Sequence, residues 1–269
     1  MTTIISLGAG VQSTTLALMA KHGEITPMPD CAIFADTQWE PRAVYDHLNW
    51  LMSPGVLPFP VHVVTAGNLG ATVGATRPKG KFLRVDIPAY VLTDGRPGGL
   101  VNRSCTRDYK IDPIRRKVRQ LLGIAGKRSP KVPIAEQWIG ISLDEASRMK
   151  PSRELWRENR WPLIELRMRR SDCLRWMERH GYPRPPKSSC IGCPFHSDDQ
   201  WRALTPAEFQ SVVEVDRRLR DRPAAAYRMK GRLFLHRSRK PLNEVDLSTA
   251  EERGQLNLFE NECEGVCGV

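Results

Sequence analysis

Residues 4–14 read Ile-Ile-Ser-Leu-Gly-Ala-Gly-Val-Gln-Ser-Thr, an apolar strand that runs into a glycine-containing turn. An apolar helical stretch follows at once, over residues 16–19. A strand, a glycine turn and a helix N-terminus aim backbone N–H groups and the positive end of the helix dipole at one anion. The stretch therefore predicts a phosphate-binding loop in a nucleotide-using protein.

Two common phosphate-binding patterns can be tested against this turn. A Walker loop requires a lysine before its terminal Ser or Thr, and Gln12 in that position excludes it. The dinucleotide-binding pattern requires three glycines, but Ser13 stands where the third should follow Gly8 and Gly10. Asp36, after the next apolar run, would be its ribose-binding acid. This alternative stays open, as does a plain strand-to-helix turn.

The composition indicates a soluble globular protein. The chain has 269 residues, of which 41% are hydrophobic and 26% charged, enough for one substantial core and a small second module. No apolar run is long enough to span a membrane, and the N-terminus lacks a signal-peptide pattern. We therefore expect a cytoplasmic location without membrane contact. Seven cysteines in such a compartment favour free thiols or metal ligands over disulfides.

The formal charge of +11 predicts anionic partners, either small nucleotides or a nucleic acid such as DNA or tRNA. The densest basic run extends from Arg115 to Lys131. Positions 115–119 fall on more than one face of a predicted helix, so a solvated helix surface also explains much of this run. The charge therefore leaves nucleic-acid contact open.

Apolar strands and helices alternate along the first two-thirds of the chain. Strands are predicted at residues 4–7, 31–35, 61–65 and 137–141, and helices at 13–21, 41–52 and 113–122. This alternation predicts an α/β fold of three layers, with a parallel sheet covered by helices on both faces. Ligands bind beyond the carboxyl ends of such strands. The turn at residues 8–13, residues 36–40 and residues 142–148 should therefore share one rim.

The rest of the chain is less regular. Residues 70–103 are rich in Gly, Pro and Arg and predict a long active-site loop. We expect a nucleotide-binding α/β domain over residues 1–182. Residues 183–269 should hold a cysteine-containing loop, a helix at 205–220 and a polar tail.

Cysteines in the second part suggest a metal site. Cys190 and Cys193 lie two residues apart in a proline-rich loop, a spacing that lets two thiolates bind one metal ion or cluster. His196 follows three residues later and would suit zinc. Cys105 precedes the helix at 113–122. An iron–sulfur cluster, structural zinc and plain buried thiols all remain open.

Five short motifs, taken in order, resemble those of the phosphoadenosine phosphosulfate (PAPS) reductase family. This family belongs to the adenine nucleotide alpha-hydrolase-like superfamily, which carries a pyrophosphatase loop. The motifs occupy residues 6–13, 35–41, 105–114, 140–148 and 161–163, and the resemblance covers roughly residues 3–196. The family includes the pyrophosphatase component of DNA phosphorothioation systems and, more distantly, tRNA thiolases.

The resemblance implies a site for ATP, PAPS or adenosine phosphosulfate (APS). The residues that would bind the nucleotide are Ser6, Gly8, Ala9, Gly10, Val11, Gln12, Ser13, Thr14, Asp36 and Thr37. Asp36 would bind Mg²⁺ or the ribose, while Gln12 departs from the Asp that the family has in its loop. Catalytic charge would come from Arg107, Lys110 and Arg148, which would neutralise pyrophosphate or sulfate. The tail thiol of Cys263 would act as nucleophile or sulfur carrier.

The resemblance also implies a [4Fe–4S] cluster held by Cys105, Cys190 and Cys193, because iron–sulfur members of the family use a Cys-Cys pair and a distant CxxC. Ser104 replaces one cysteine of the pair. The fourth ligand would then be Cys263, Cys267, Cys173 or a substrate sulfur.

Three functions follow from the motifs. The first is an ATP pyrophosphatase that activates a nucleic acid for sulfur insertion, with a cysteine desulfurase as sulfur donor. The second is a PAPS or APS reductase that produces sulfite with a thioredoxin-type donor. The third is a nucleotide- or nucleic-acid-binding subunit without turnover. A homo-oligomer is compatible with each.

Overall fold

A computed structural model describes residues 1–75, 85–101, 103–222, 230–249 and 252. The strands in these ranges are β1 (Thr2–Leu7), β2 (Cys31–Asp36), β3 (Val61–Thr65), β4 (Tyr90–Thr93), β5 (Arg96–Leu100), β6 (Ala135–Ile139), β7 (Arg157–Arg160) and β8 (Arg232–Phe234). Five of them form a parallel sheet in the order β3-β2-β1-β6-β7. The other three form an antiparallel sheet in the order β5-β4-β8.

The helices in these ranges are α1 (Val11–Lys21), α2 (Arg42–Leu51), α3 (Leu69–Thr72), α4 (Asp112–Leu121), α5 (Pro162–Glu165), α6 (Arg170–Arg179), α7 (Asp198–Arg202) and α8 (Pro206–Asp221). Helices α1, α2 and α4 lie between strands of the parallel sheet in chain order, and α5 to α8 follow its last strand, β7. A π-helical turn, Thr106–Ile111, continues into α4, and a 3-10 segment, Leu143–Arg148, follows β6. Another 3-10 turn, Leu242–Glu244, follows β8.

Two cores cover the two faces of the parallel sheet. Successive residues of a strand point to opposite faces, so Ile5 packs with helices α1 and α6 while Ile4 packs against α4. Trp138 and Trp176 lie in the first core, and Val118 lies in the second. Each fully buried aliphatic side chain contributes about 1.5–3 kcal/mol. The predicted α/β fold, with helices on both faces of a parallel sheet, is confirmed.

A third core joins the antiparallel sheet to the C-terminal helices. It contains Trp201 of α7, Val212 of α8, Leu233 of β8, and Cys190 and Cys193. Its charged centre is Asp216, which is fully buried and accepts hydrogen bonds from the backbone N–H groups of the segment after α8. The predicted division of the chain near residue 182 remains a prediction.

The stretch at 70–103 differs from the predicted loop. Residues 90–100 form the β4–β5 hairpin, whose turn residues Asp94 and Gly95 have φ values of 49° and 73°. Two positive φ angles in a two-residue turn match the right-handed twist of the strands, and Asp-Gly is a favoured pair for such turns. In the described part of the chain, no helix is both long and apolar enough to cross a membrane.

Candidate active site

The phosphate loop has the geometry of an anion-binding helix terminus. β1 ends at Leu7, Ala9 adopts a left-handed conformation with φ of 54°, and α1 begins at Val11. The first N–H groups of a helix, here those of Val11, Gln12 and Ser13, have no partner within the helix. No side chain caps this end of α1. These amides are therefore available to an anion.

Ser13 closes the loop from inside. Its hydroxyl accepts a hydrogen bond from the Gly8 N–H at 3.1 Å and donates one to the Gly10 carbonyl at 3.4 Å. The loop is thus shaped by its own side chain before any ligand arrives, which lowers the ordering cost of binding.

Residues 186–189 lie against the outside of the loop. The Ser188 hydroxyl donates a hydrogen bond to the Gly8 carbonyl. A Cβ on Gly10 would lie 3.0 Å from the Ser188 Cβ, so this close approach favours glycine. The C-terminal part of the chain therefore contacts the phosphate loop directly.

Gln12 joins the loop to the 3-10 segment after β6. Its side-chain amide donates to the Ser142 hydroxyl at 3.3 Å and to the Glu145 carboxylate at 3.2 Å. Glu145 in turn forms an ion pair with Arg148. The residue that replaces the aspartate of the resembled family thus acts here as a link between loop and rim.

The loop opens into a cleft of about 1180 Å³. The segments that line it are the ends of β1 and β6, the π-helical turn, the 3-10 segment at Leu143–Arg148, and residues 184–190. Nine Lys and Arg residues line the cleft, compared with three Asp and Glu residues. This surplus of positive charge suits a ligand with several negative charges.

Lys110 is held in the cleft by a buried carboxylate. Its ammonium nitrogen lies 3.3 Å from Oε1 of Glu40, whose side chain is only 1% exposed. The Thr37 hydroxyl donates to the same oxygen at 3.0 Å. Holding the lysine in this way fixes a positive charge in the cleft wall.

The structure brings most of the predicted site residues into one place. Those that line the cleft are Ser6, Gly8, Gly10, Val11, Gln12, Ser13, Thr37, Cys105, Lys110, Arg148, Cys190 and Cys193. Four others do not line it: Ala9, Thr14, Asp36 and Arg107. Cys263 and Cys267 lie outside the described residues.

Each of the four has another environment. Ala9 is buried in the core, and the Thr14 hydroxyl lies 3.0 Å from Nε2 of the buried His47. One oxygen of Asp36 accepts from the Gln38 N–H at 2.7 Å and from the Tyr45 hydroxyl at 2.9 Å. Burial and this hydrogen bond raise the pKa of Tyr45.

Arg107, the last of the four, is largely exposed and pairs with its neighbour Asp108. The contact with that carboxylate raises the pKa of Arg107. Lys110 lies on the same π-helical turn and lines the cleft, so the segment after Cys105 presents one cation to the cleft and another to solvent.

The three cysteines share a cleft wall without forming a metal site. Cys105, Cys190 and Cys193 form no disulfide with one another or with another described cysteine, and the last two are buried. Among the described residues, no three His, Cys, Asp or Glu side chains are grouped closely enough to hold a metal ion. The predicted [4Fe–4S] cluster is therefore not supported by the described residues.

His196 is engaged elsewhere and does not supply the predicted zinc ligand. Its Nε2 atom lies 2.9 Å from the Ser189 hydroxyl, and its ring packs edge-on against Trp201. Burial lowers the pKa of His196 to about 4, with a smaller contribution from the charge of Lys187. The backbone N–H of His196 donates to the Cys193 carbonyl at 3.1 Å.

A polar row beneath the cleft was not predicted from the sequence. Ser6 of β1 accepts a hydrogen bond from the Gln137 amide at 2.8 Å, and Arg157 of β7 donates to the Gln137 carbonyl oxygen. Arg157 is buried, and this burial lowers its pKa. All four residues at 157–160 are polar, and such a strand lacks the apolar alternation that identifies most strands.

Comparisons with known proteins concern the fold. No protein-family model matches the sequence, and no curated protein matches it. The fold is similar to the crystal structure of a phosphoadenylyl-sulfate (PAPS) reductase from Candida auris in complex with phosphate. The TM-score is 0.39 at 11% sequence identity, over 69% of this chain and 75% of the other. The likeness concerns the fold alone.

Proposed function

We propose that the protein is an adenine-nucleotide enzyme that cleaves ATP between the α- and β-phosphates. The observation that carries the proposal is the phosphate loop at the N-terminus of α1, which opens into a cleft with a large surplus of positive charge. Free amides at a helix N-terminus and nearby cations are the groups that bind a polyphosphate.

The proposed reaction is the transfer of AMP to an acceptor oxygen. The oxygen attacks the α-phosphorus and forms a new P–O bond, while the bond from the α-phosphorus to the bridging oxygen breaks and pyrophosphate leaves. The loop amides would hold the departing pyrophosphate, and Lys110 and Arg148 would stabilise the charge that develops on it. The acceptor we propose is a nucleic acid. The terminal sulfur of a persulfide on a separate donor, such as a cysteine desulfurase, would then displace AMP from the adenylated position, and a second thiol would reduce the resulting disulfide and release the donor cysteine.

A second candidate is reduction of PAPS or APS to sulfite. The observation that favours it is that Cys105, Cys190 and Cys193 line the same cleft as the phosphate loop. A thiol within reach of a bound sulfonucleotide could attack its sulfur and release the adenosine phosphate. The thiol that the sequence predicts for this attack, Cys263, lies outside the described residues.

One assay separates these functions. The purified chain is incubated with ATP, Mg²⁺ and single-stranded nucleic acid, and separately with PAPS or APS and a thioredoxin-type donor, while pyrophosphate and sulfite are measured. Pyrophosphate is the expected product, and the nucleic acid should raise its rate of formation above that with water as the acceptor. Sulfite without pyrophosphate would favour the reductase. Nucleotide binding without either product would favour a non-catalytic subunit and contradict both enzymes.

Arg148→Ala tests the site assignment. Loss of a cation that stabilises the leaving pyrophosphate should lower its release roughly 10- to 100-fold. Arg217→Ala is the matched control, because Arg217 lies on the exposed surface of α8 and pairs with Glu214 and Asp221. Equal rates in the two variants would contradict the assignment.

A further inference from the structure

Three cations in the cleft wall have no carboxylate partner among the described residues. Arg103, Arg184 and Lys187 line the cleft, and within the described ranges no acidic side chain lies at ion-pair distance from any of them. Of the other six cleft cations, Arg170 donates its backbone N–H to Asp144. The remaining five form ion pairs: Lys110 with Glu40, Arg148 with Glu145, Arg157 with Glu154, Arg202 with Asp199 and Arg237 with Asp198. The three uncompensated charges are therefore the part of the wall that most favours an external anion.

Two of the three cations flank one turn. The Arg103 guanidinium lies 5.7 Å from the centre of the Phe195 ring. The positive charge of Lys187 acts on His196, the residue after Phe195. This charge adds to the lowering of the His196 pKa by burial. Lys187 also directly precedes Ser188, whose hydroxyl bonds to the phosphate loop. These contacts place Lys187 beside the phosphate loop and Arg103 beside the turn at Phe195, while Arg184 lines the same cleft.

The cleft is larger than one small ligand requires. Its volume is about 1180 Å³, and pockets for single small molecules measure roughly 300–1,000 Å³. A nucleotide at the phosphate loop would therefore leave room for part of a second ligand.

We propose that Arg103, Arg184 and Lys187 bind the phosphate backbone of a single-stranded nucleic-acid segment. This inference rests on the proposed function, because the strand would carry the oxygen that attacks the α-phosphorus. Guanidinium and ammonium groups are the commonest contacts to backbone phosphates. We choose a single strand because a cation-lined groove that follows the backbone is the usual binding site for single-stranded nucleic acid.

Binding is tested by fluorescence anisotropy with labelled single-stranded DNA and RNA of mixed sequence, over a range of salt concentrations. The triple variant Arg103→Ala, Arg184→Ala, Lys187→Ala should bind at least about tenfold more weakly. Its slope of log affinity against log salt should fall by about two, as expected for three lost phosphate contacts on a single strand. Replacing the two arginines by lysine, with Lys187 retained, should preserve most of the salt slope.

The matched control removes the same charge from the densest basic run of the sequence. Arg116, Arg128 and Lys131 are exposed, and the control variant replaces all three by Ala. It should bind within about twofold of the wild type. Loss of binding in this control, with the cleft variant unaffected, would place the nucleic acid on the α4 surface and overturn the proposal.

ATP binding, measured separately by calorimetry, distinguishes this inference from the proposed function. If the cleft variant loses ATP affinity but keeps its affinity for the strand, the three cations serve the nucleotide and the inference is wrong. If the wild-type protein binds no strand yet releases pyrophosphate from ATP, the inference fails while the proposed function stands. If it binds the strand without any turnover of ATP, the proposed function fails instead.

Discussion

Gly140 lies directly against the amide of Ser13. A Cβ added to Gly140 would lie 2.8 Å from the Ser13 nitrogen and 3.0 Å from the carbonyl carbon of Gln12. Gly140 follows β6, the strand beside β1, so parallel pairing brings these two strand ends together. The missing side chain leaves the Ser13 N–H open to a ligand.

Gly140→Ala should displace the phosphate loop, because backbone atoms and not a flexible side chain occupy the space. We expect ATP affinity or turnover to fall roughly 10- to 100-fold, the cost of misplacing binding groups by about an ångström. Gly99→Ala is the control, since a Cβ there would meet nothing within 4 Å. Isothermal calorimetry with ATP measures the effect, and unchanged affinity in Gly140→Ala would contradict the role of this loop.

Ser13→Ala should loosen the loop from inside. The substitution removes the acceptor of the Gly8 N–H and the donor to the Gly10 carbonyl. Each such hydrogen bond is worth about 0.5–1.5 kcal/mol, so we expect a roughly 3- to 30-fold rise in KM for ATP.

Ser53→Ala is a suitable comparison for Ser13→Ala, because the Ser53 hydroxyl donates to the Asn49 carbonyl at 3.0 Å on the exposed end of α2. That variant should retain wild-type kinetics. A rise in KM in both variants would show that lost stability, not the loop, limits the enzyme.

Asp216→Ala should destabilise the C-terminal core. The buried carboxylate accepts from the Leu235 N–H at 2.9 Å and the Leu242 N–H at 3.0 Å, and it pairs with Arg220. Removing one partner of a buried ion pair costs about 3–5 kcal/mol. Urea unfolding followed by tryptophan fluorescence measures the loss.

Asp221→Ala provides the exposed counterpart to Asp216→Ala. Asp221 pairs with Arg217 at 3.1 Å on the solvent side of the same helix, where an ion pair is worth about 0–1 kcal/mol. Comparable losses in the two variants would show that Asp216 does not anchor β8 and the following turn to α8.

The sequence was sufficient to predict the parallel sheet because its apolar strands are distinct. The predicted strands at 4–7, 31–35, 61–65 and 137–141 correspond to β1, β2, β3 and β6. β7 was missed, since Arg-Glu-Asn-Arg carries no apolar residue and its pairing with β6 is a tertiary effect. The Asp94-Gly95 pair was a readable hairpin signal within the predicted loop.

The sequence predicted those residues of the candidate site that directly follow a strand. It did not predict the residues that reach the cleft from segments distant in sequence. The loop at 8–13 and Arg148 follow strands β1 and β6, so topology alone brings them together. Nothing local indicated that Arg103, Arg184 and Lys187 would share a cleft, because their meeting depends on how the C-terminal core packs. Whether Arg107 or Lys110 faces the cleft depends on the rotation per residue of the helical turn that carries both. A π-helical turn differs in this rotation from an α-helix, so the sequence did not indicate which of the two side chains lines the cleft.

Two buried histidines should make the stability of the fold depend on pH. Burial lowers the pKa of His47 and of His196 to about 4 each, from 6.5. The folded state then keeps both rings neutral, bonded to Thr14 and Ser189, while the unfolded chain takes up protons. Stability should be fully present above pH 6.5 and fall as the pH drops towards 4, by about 1.4 kcal/mol per pH unit for each histidine.

The measurement is the free energy of unfolding in urea at several pH values between 4 and 7.5. His47→Gln and His196→Gln should each flatten the profile between pH 6.5 and 5, where carboxylates contribute least, because one proton fewer is then taken up on unfolding. The double variant should flatten it by the sum, since the two histidines lie in different cores. If the slope of the unfolding free energy against pH stays at its wild-type value in both single variants, these rings are protonated in the folded protein. The hydrogen bonds to Thr14 and Ser189 then do not require a neutral imidazole.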